Sequence, residues 1–381
     1  MTTVADPVRA GVYAPVTSIR VALLGVGQVG GAVAALVCGS RTDGRFTISS
    51  GLVRDLHRAR PQAAHLRLTA NTRDALNDDP HVVIEALGGL EPARTLVVDA
   101  LERGIPVVTA NKSLLAVHGR ELLELSTRVG VPLRYEAAVL AGVPFLGTFA
   151  RRPLARRVTG LCGIVNGTTN FILSRMADRH VELEAALADA QRRGYAEPDP
   201  ASDLNGTDAA EKLAVLLQHF GDWHVRPSAI EREGITDIRE EDILAASGLC
   251  GTIKSIVYAD WSRDELRTFC GPAFVPGVHP LARVNGVQNA VLLRNDDAGD
   301  LFFAGPGAGP GVTAATLLDD AAEIALSNDH VPHRRNAGAR CNRKVWKAAV
   351  PAAPATSCFV RFDRPGAPRL FELPVTEVAG D

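Results

Sequence analysis

The chain has 381 residues, which is enough for two or three domains and too long for a lone binding module. Apolar residues make up 46% and charged residues 22%, values of folded globular proteins that exclude a disordered or collagen-like chain. The formal net charge of -2 provides no overall basic field for a nucleic acid or an anionic membrane. We therefore expect small-molecule partners, with no nucleic acid and no membrane.

The cysteine pattern and the N-terminal sequence are used to predict the cellular compartment of the protein. The six cysteines contain no CxxC pair, which favours a reduced compartment over a disulfide framework or a zinc site. The first eighteen residues contain no apolar segment typical of a secretory signal. A cytoplasmic location is therefore expected.

Short β-branched runs alternate with helical patterns in the first part of the chain. Strands are predicted at residues 19–24, 46–53, 82–86 and 105–109. Helices are predicted from residue 31 and over 92–103. This alternation is typical of a doubly wound parallel sheet of the Rossmann type.

Beyond about residue 150 the alternation ends. Helices are predicted at 183–193, 208–220 and 314–326, and strands near 255–259 and 290–294. The stretch after residue 150 is glycine-rich, and a glycine-proline loop is predicted over 305–311. The pattern indicates a second domain of mixed α+β type.

A glycine turn joins the first predicted strand to the first predicted helix. It consists of Gly25, Val26, Gly27, Gln28, Val29 and Gly30. In a GxGxxG turn the glycines let the backbone approach a pyrophosphate, and the following helix offers free N–H groups to it. The strand and helix on either side favour a dinucleotide site over a tight turn without a ligand.

The residues after the second predicted strand bear on the choice between NAD and NADP. Arg54 and Asp55 stand side by side there. An arginine at this place pairs with the 2′-phosphate of NADP, whereas an acidic residue accepts the ribose hydroxyls of NAD. Arg54 slightly favours NADP, and the alternative is an exposed loop arginine without a ligand.

The segment 190–212 is dense in acidic residues, and its prolines and glycines fix the loop between two predicted helices. Asp208, Lys212, Leu216 and Phe220 share one i,i+4 row, so Lys212 is expected to border the buried face of its helix. Burial lowers the basicity of a lysine and a nearby carboxylate restores it, which suits proton transfer near neutral pH. The alternative is a solvated surface ion pair.

Three shorter segments also place polar groups where a ligand can bind. Asn111 and Lys112 directly follow a strand, at the carboxyl edge where doubly wound sheets bind ligands. Glu136 stands among apolar residues, so it needs a cation or hydrogen bonds. Residues 163–170 present small polar groups before a helix, which suits an anion.

Together these segments resemble homoserine dehydrogenase over about residues 19–328. The motifs follow the family's order: the glycine turn, TANK at 109–112, YEAAV at 135–139, GIVNGTTNFIL at 163–173, the segment 190–212, REGIT at 232–236, HPLARVNG at 279–286 and GPGAG at 305–309. The resemblance implies an NAD(P)-dependent conversion of L-homoserine to L-aspartate 4-semialdehyde, or the reverse reduction. It also implies a homodimer or a higher homo-oligomer.

The resemblance further implies roles for single residues. Lys212 would carry the hydroxyl proton, with Asp208 orienting it and Lys112 assisting. The implied substrate-binding residues are Glu197 and Asp203 for the ammonium group, Gly167 and Thr168 for the carboxylate, and Tyr195. The implied cofactor residues, besides the glycine turn and Arg54, are Gly88, Asn111, Lys112 and Gly309. Glu136 with the backbone carbonyls of Val139, Ala141 and Val143 would bind a monovalent cation, Na⁺ or K⁺.

The resulting domain prediction has five segments. They are a loose leader (1–18), an NAD(P)-binding Rossmann domain (19–150), a catalytic and dimerisation domain (151–304), a glycine loop and helix that return to the nucleotide domain (305–328), and an irregular arm (329–381). Residues 357–366 resemble the opening strand of an ACT regulatory domain, and the arm is interpreted as a truncated remnant of one.

Other functions stay open from the sequence. A related Rossmann dehydrogenase for another amino-acid alcohol or semialdehyde would keep Lys212 and Asp208 but differ around Glu197 and Thr168. A non-catalytic nucleotide sensor would have a damaged lysine, aspartate or glycine turn, and none is damaged. The basic residues of the arm suggest an interaction protein as a third alternative. A solvated or subunit-clasping arm is the simpler interpretation of these residues.

Overall fold

The computed structural model describes residues 18–39, 41–152, 155, 157–262 and 265–326. The predicted leader lies outside these residues except for Ser18, and the predicted arm with its ACT-like strand lies wholly outside them. Within the described ranges, no helix is both long and apolar enough to cross a membrane.

Six parallel strands form the first sheet. They are β1 (Ile19–Leu24), β2 (Phe46–Leu52), β3 (Leu68–Thr69), β4 (Val82–Glu85), β5 (Val107–Thr109) and β6 (Leu133–Arg134). Their order across the sheet is β3-β2-β1-β4-β5-β6, the strand order of the Rossmann fold. The predicted Rossmann-type sheet is confirmed. Its ligand crevice is expected between β1 and β4, where the strand order reverses.

Helices cover the faces of this sheet. They are α1 (Gln28–Cys38), α2 (Ala93–Glu102) and α3 (Lys112–Val129). The central strands consist mainly of apolar residues because both of their faces are covered, and every residue of β4 is buried. The mainly apolar pattern of residues 19–24 is why β1 begins and ends where the sequence predicts.

Five antiparallel strands form the second sheet. They are β7 (Val158–Ile164), β8 (Gly251–Asp260), β9 (Arg267–Pro276), β10 (Gln288–Asn295) and β11 (Leu301–Pro306), in the order β11-β10-β7-β8-β9. The helices of this part are α4 (Gly167–Arg179), α5 (Leu183–Arg192), α6 (Ala201–Leu204), α7 (Thr207–Gly221) and α8 (Glu240–Gly248). The predicted mixed α+β region is confirmed.

Three of these strands, β7, β9 and β11, were not predicted. In β7 the cause is glycine, which weakens a strand pattern. The glycines are there because the neighbouring strands lie close: a Cβ at Gly163 would lie 2.7 Å from the carbonyl oxygen of Ala290 in β10. The predicted loop over 305–311 is shorter in the structure, since β11 pairs through Pro306 and the last described helix, α9 (Pro310–Leu326), begins at Pro310.

The two sheets are joined by shared packing. Helix α9 returns to the parallel sheet, where Leu317 and Ala321 belong to the same buried cluster as Val33 of α1. On the other side, Phe145 follows the last parallel strand and stacks on Phe220 of α7, with ring centroids 6.1 Å apart. This packing brings the end of the parallel sheet against the helix that carries Lys212.

Candidate active site

The turn between β1 and α1 has the shape that a diphosphate requires. Gly25 has a φ of +94°, and a Cβ there would lie 2.6 Å from the carbonyl oxygen of Ala86. A Cβ at Gly30 would lie 1.9 Å from the carbonyl oxygen of Gly25, so this glycine lets the helix sit against the turn. A Cβ at Gly27 would meet nothing within 4 Å. The open side at Gly27, with the first N–H groups of α1, therefore fits a dinucleotide.

Glu85 organises the crevice beside this turn, and the sequence patterns did not predict it. Its buried carboxylate accepts hydrogen bonds from the backbone N–H of Leu87 at 2.8 Å, from the amide of Asn111 at 3.4 Å and from the Thr109 hydroxyl. Burial raises the pKa of Glu85, and these hydrogen bonds oppose the rise. An acidic residue at the end of a wholly apolar strand is the signal that could have revealed it.

Glu85 thereby connects the two loops that carry predicted cofactor residues. Gly88 has a φ of +75° and open space where a side chain would be. Asn111 donates to the carbonyl oxygen of Gly89 at 2.7 Å and caps α3 by accepting from the N–H of Leu114 at 3.0 Å. The loops after β4 and β5 are thus held together at the carboxyl edge of the sheet.

Arg54 and Arg60 follow β2 in the chain. Arg54 is exposed, and the neighbouring Asp55 uses its carboxylate to accept the N–H of His57 at 2.8 Å. Arg60 was not predicted; it donates to the carbonyl oxygen of Val26 at 3.2 Å and to that of Asp55 at 2.8 Å. Arg60 therefore places a second positive charge at the glycine turn.

Asp208 stands between two lysines. Its carboxylate lies 2.9 Å from the ammonium nitrogen of Lys212 and 3.2 Å from that of Lys112. Lys112 begins α3, whereas Lys212 lies in α7, so the cluster bridges the two halves of the molecule. Lys212 is 8% exposed and also donates to the carbonyl oxygen of Val165 at 2.7 Å. The Asp208–Lys212 pair is therefore not a solvated surface ion pair.

The charges in this cluster stabilise one another. Burial by itself raises the pKa of Asp208, but the ammonium groups of Lys212 and Lys112 and hydrogen bonds from Lys212 and Asn166 lower it to about 2. Burial lowers the pKa of Lys112, but the carboxylates of Asp208, Glu211 and Asp203 together raise it by more, so the net shift is upward. Asp208 is therefore ionised and Lys112 protonated at neutral pH.

Asn166 connects the cluster to the predicted substrate residues, and no role was predicted for it. Its amide donates to Asp203 at 2.7 Å and to Asp208 at 2.9 Å, while its side-chain oxygen caps α4 by accepting from the N–H of Thr169 at 2.8 Å. An asparagine before a helix is a capping signal, but its second set of contacts depends on tertiary structure.

The other predicted substrate residues divide into two groups. Thr168 donates from its hydroxyl to the carbonyl oxygen of Tyr195 at 2.7 Å, so α4 and the loop after α5 meet. Gly167 is tightly placed, because a Cβ there would lie 3.0 Å from the carbonyl oxygen of Val287. Glu197 is exposed, and within the described residues its carboxylate forms no hydrogen bond or ion pair. Among the described residues, Glu197 therefore has no direct contact with the cluster, and its predicted role in substrate binding stays a prediction.

Glu136 obtains hydrogen bonds from the backbone. Its carboxylate accepts the N–H groups of Phe145, Leu146 and Gly147 at 2.8, 2.9 and 2.6 Å. Asp320 of α9 accepts the backbone N–H of Glu136 at 3.1 Å. The need of a buried glutamate for hydrogen bonds is thus met within the chain.

The rest of the predicted cation site is backbone. Val139, Ala141 and Val143 are buried in the turn after Glu136, and the carbonyl oxygen of Ala141 accepts the Thr316 hydroxyl. Among the described residues there is no group of three or more histidine, cysteine or acidic side chains that could hold a metal. A cation here would therefore depend on carbonyl oxygens, which suits a hard monovalent ion.

The short loop 307–309 joins β11 to α9 and carries the predicted cofactor residue Gly309. Gly309 has a φ of +125° and open space on its side-chain face. Its carbonyl oxygen accepts the N–H of Thr313 and so starts α9. The carbonyl oxygen of Gly307 accepts the N–H of Ala141 at 3.0 Å, which ties this loop to the turn after Glu136.

The Rossmann strand order, the glycine turn and the lysine–carboxylate cluster at the crevice define an NAD(P)-dependent oxidoreductase. Comparison with known families specifies it further. The sequence model of homoserine dehydrogenase matches residues 144–321, and that of the homoserine dehydrogenase NAD binding domain matches residues 25–136. The chain belongs to the homoserine dehydrogenase family, and it is an oxidoreductase that acts on a hydroxyl group with a nicotinamide cofactor.

Individual relatives agree with this assignment. The chain is 36% identical to homoserine dehydrogenase of Lactococcus lactis, over 81% of this chain and 74% of the relative. It is 38% identical to that of Bacillus subtilis, over 80% and 72%. A solved homoserine dehydrogenase from Thiobacillus denitrificans superimposes with a TM-score of 0.77 at 36% identity, covering 84% and 76% of the two chains. The predicted family and enzyme class are confirmed.

Proposed function

We propose that the protein interconverts L-homoserine and L-aspartate 4-semialdehyde, with Lys212 as the proton carrier. The observation that carries the proposal is the cluster in which Asp208 holds Lys212 and Lys112 at the crevice, 2.9 and 3.2 Å from its carboxylate. The names of the relatives supply the substrate, and the cluster supplies a proton donor and acceptor for its hydroxyl group.

The contacts of Lys212 explain how it would work. A protonated lysine has three N–H donors, and here one is directed to Asp208 and another to the carbonyl oxygen of Val165. Within the described residues the third has no acceptor, so it is available to the substrate oxygen at C4. The ammonium form of Lys212 would protonate this oxygen during reduction, and the neutral amine would take the hydroxyl proton during oxidation. The bound nicotinamide ring supplies or accepts the hydride. Asp208 and Lys112 keep the local charge balanced while the proton moves.

The two ends of the amino-acid substrate are proposed to bind at separate places. The start of α4 at Gly167 and Thr168 would take the carboxylate, since a helix N-terminus favours an anion. Asp203, with Glu197 from the exposed loop and Tyr195 beside it, would take the ammonium group. Asp203 is held by Asn166 at 2.7 Å, so the ammonium site is connected to the proton carrier.

For the cofactor we propose residues 25–30, Gly88, Asn111, Lys112 and Gly309 as contacts, and NADP over NAD. Arg54 is exposed at the end of β2, and Arg60 adds a second positive charge beside the turn. Arg54→Ala should raise KM for NADPH by about 10- to 100-fold and leave KM for NADH nearly unchanged, because a charge-assisted contact to a phosphate contributes about 1.5–3 kcal/mol. Arg45→Ala, an exposed arginine before the same strand, is the control. Equal increases in KM for NADPH and NADH would show that Arg54 does not contact the 2′-phosphate.

A monovalent cation, Na⁺ or K⁺, is proposed to bind the carbonyl oxygens of Val139, Ala141 and Val143 next to Glu136. The turn is rigid because Glu136 accepts three backbone N–H groups. Thermal unfolding in NaCl, KCl and choline chloride at equal ionic strength checks this. A higher Tm in one of the two metal salts is expected, and identical curves would contradict the site.

We propose a homodimer or higher oligomer that uses the antiparallel sheet, in a reduced cytoplasm. Val278 is 79% exposed and Phe302 43% exposed, and both line a cavity of about 470 Å³ at this sheet. Such exposed apolar patches are typical of association surfaces. The free state of Cys38, Cys162 and Cys250 agrees with a reducing compartment. Sedimentation velocity of the wild type and of Phe302→Glu tests the surface, with a monomeric variant expected.

The substrate proposal is tested directly. Oxidation of NADPH and NADH is followed with L-aspartate 4-semialdehyde and with two other amino-acid semialdehydes. We expect kcat/KM to be highest for L-aspartate 4-semialdehyde. A higher value for another semialdehyde would favour the alternative dehydrogenase, and binding of the cofactor without turnover of any substrate would favour a sensor.

A further inference from the structure

Asn289 has a buried side-chain amide without a partner. The residue is fully buried, and neither its side-chain oxygen nor its nitrogen has a hydrogen-bond partner in the described part of the chain. The other side-chain atom in this condition among the described residues is the hydroxyl oxygen of Thr42. An unpaired buried amide costs free energy, so it calls for an explanation.

The position of Asn289 relates it to the proton carrier. Asn289 lies in β10, where the next residue Ala290 pairs with Ile164 of β7, so the antiparallel register continues towards Val165. The carbonyl oxygen of Val165 is the one that holds Lys212. Side chains alternate along a strand, so Asn289 shares a face with Val291, which packs in the same buried cluster as α7.

Two glycines show what surrounds the amide. A Cβ at Gly307 would lie 2.1 Å from the side-chain amide of Asn289, so the amide lies against the loop 307–309. A Cβ at Gly167 would lie 3.3 Å from the side-chain oxygen of Asn289, so the same amide adjoins the start of α4. The unpaired amide therefore lies between the loop that carries Gly309, a proposed cofactor contact, and the helix proposed to bind substrate.

We propose that Asn289 recognises the carboxamide of the nicotinamide ring. An asparagine amide offers a donor and an acceptor side by side, and the carboxamide of the nicotinamide ring offers the matching pair. The substrate carboxylate only accepts and its ammonium group only donates. The inference rests on the proposed function, because it requires a nicotinamide cofactor beside Gly307 and Gly309. Asn289 orients the ring and takes no part in proton transfer.

Binding of NADP⁺ and of its 3-acetylpyridine analogue tests the proposal. The analogue replaces the amide NH₂ of the ring with a methyl group and so lacks the donor. Calorimetry measures both affinities for the wild type and for Asn289→Leu, which has a similar shape and no polar atoms. Asn295→Leu is the matched control: it lies in the same strand and is buried, but its amide donates to the carbonyl oxygen of Ala155 at 2.8 Å.

We expect the wild type to prefer NADP⁺ over the analogue by about tenfold, and Asn289→Leu to bind both about equally. Asn289→Leu should also keep or raise the Tm of the ligand-free protein, because it removes an unpaired buried amide. Asn295→Leu should lower the Tm and keep the preference of the wild type.

Three results would overturn the assignment. If Asn289→Leu prefers NADP⁺ over the analogue as strongly as the wild type does, the amide does not recognise the carboxamide. A lower ligand-free Tm for this variant, similar to that of Asn295→Leu, means that Asn289 is structural. A changed KM for L-homoserine with an unchanged preference places the amide on the substrate side. Failure of the wild type to bind NADP⁺ would instead reject the proposed function, and the inference with it.

Discussion

Two buried lysines of this molecule differ in the charge of their hydrogen-bond partners. Lys212 is 8% exposed and Lys254 is 1% exposed, and each donates to a backbone carbonyl oxygen. Lys212 is paired with the Asp208 carboxylate at 2.9 Å. Lys254 has neutral partners, of which the nearest side chain is Asn285, whose amide oxygen is 2.7 Å away. Burial lowers the pKa of Lys254 to about 8.

The positions of the two lysines explain the difference. Lys254 lies in β8 and ties the segment 284–288 to α4, since its other acceptors include the carbonyl oxygen of Val284 at 2.8 Å and the side-chain oxygen of Asn170 at 3.4 Å. Lys212 lies at the crevice beside Lys112. A lowered pKa is often used to find reacting groups. Here the lysine with the lowered pKa has a structural environment, and the proposed proton carrier is the one held by a carboxylate.

The largest expected effect separates the two lysines by chemistry. Lys212→Ala should lower kcat by about 10²–10⁴-fold with the affinity for NADPH retained, because a positioned acid–base group contributes this much. Lys254→Met is the control and should keep kcat within about tenfold, since it touches no proposed reacting group. Steady-state kinetics and calorimetric NADPH binding measure both. A loss of kcat in Lys254→Met without a loss in Lys212→Ala would contradict the assignment of proton transfer to Lys212.

Removing the carboxylate that distinguishes Lys212 should have the next effect. Asp208→Asn leaves Lys112 and Lys212 without their shared anion, and we expect kcat to fall by about 10²-fold. The control is Glu211→Gln, an acid of the same helix that lies 4.0 Å from Lys112. Similar kinetics for the two variants would show that Asp208 has no special role.

Asp208 also predicts a dependence of stability on pH. Its pKa is about 2 in the folded protein and 3.8 ordinarily. A lowered acidic pKa stabilises the folded state above pH 3.8, and the stabilisation is lost as the pH falls through about 2. The contribution is about 2 kcal/mol. Urea unfolding should therefore show the difference between wild type and Asp208→Asn shrinking from pH 5 downwards.

The smallest effect concerns Lys254. Its pKa of about 8 is below its ordinary 10.5, so between these values the unfolded chain binds more protons than the folded protein. The free energy of unfolding should therefore rise with pH in this window, by about 1 kcal/mol between pH 8 and 9. Lys254→Met should lack this rise. Tm measured at pH 8 and 9 checks it, and parallel curves for wild type and variant would contradict it.

The amino-acid sequence by itself determined the local features of this protein. The glycine turn is recognised from six consecutive residues, because each glycine allows a tight turn or a close approach that a side chain would block. The strands β1, β4 and β5 consist mainly of apolar residues, so their positions could be predicted, whereas the two-residue strands β3 and β6 were not predicted. The pair of Asp208 and Lys212 follows from helical spacing, since residues four apart lie on one face.

Only the tertiary structure decided which distant groups meet. Lys112 reaches Asp208 because α3 and α7 pack together, and Glu85 joins two loops because β4 and β5 are neighbours. Strand β7 was not predicted because its glycines weaken the sequence pattern of a strand. These glycines are needed because the neighbouring strands pack closely against β7. The unpaired amide of Asn289 is visible only once Gly307 and Gly167 surround it. Such contacts depend on how the two sheets dock, and residue spacing carries no record of docking across long stretches of chain.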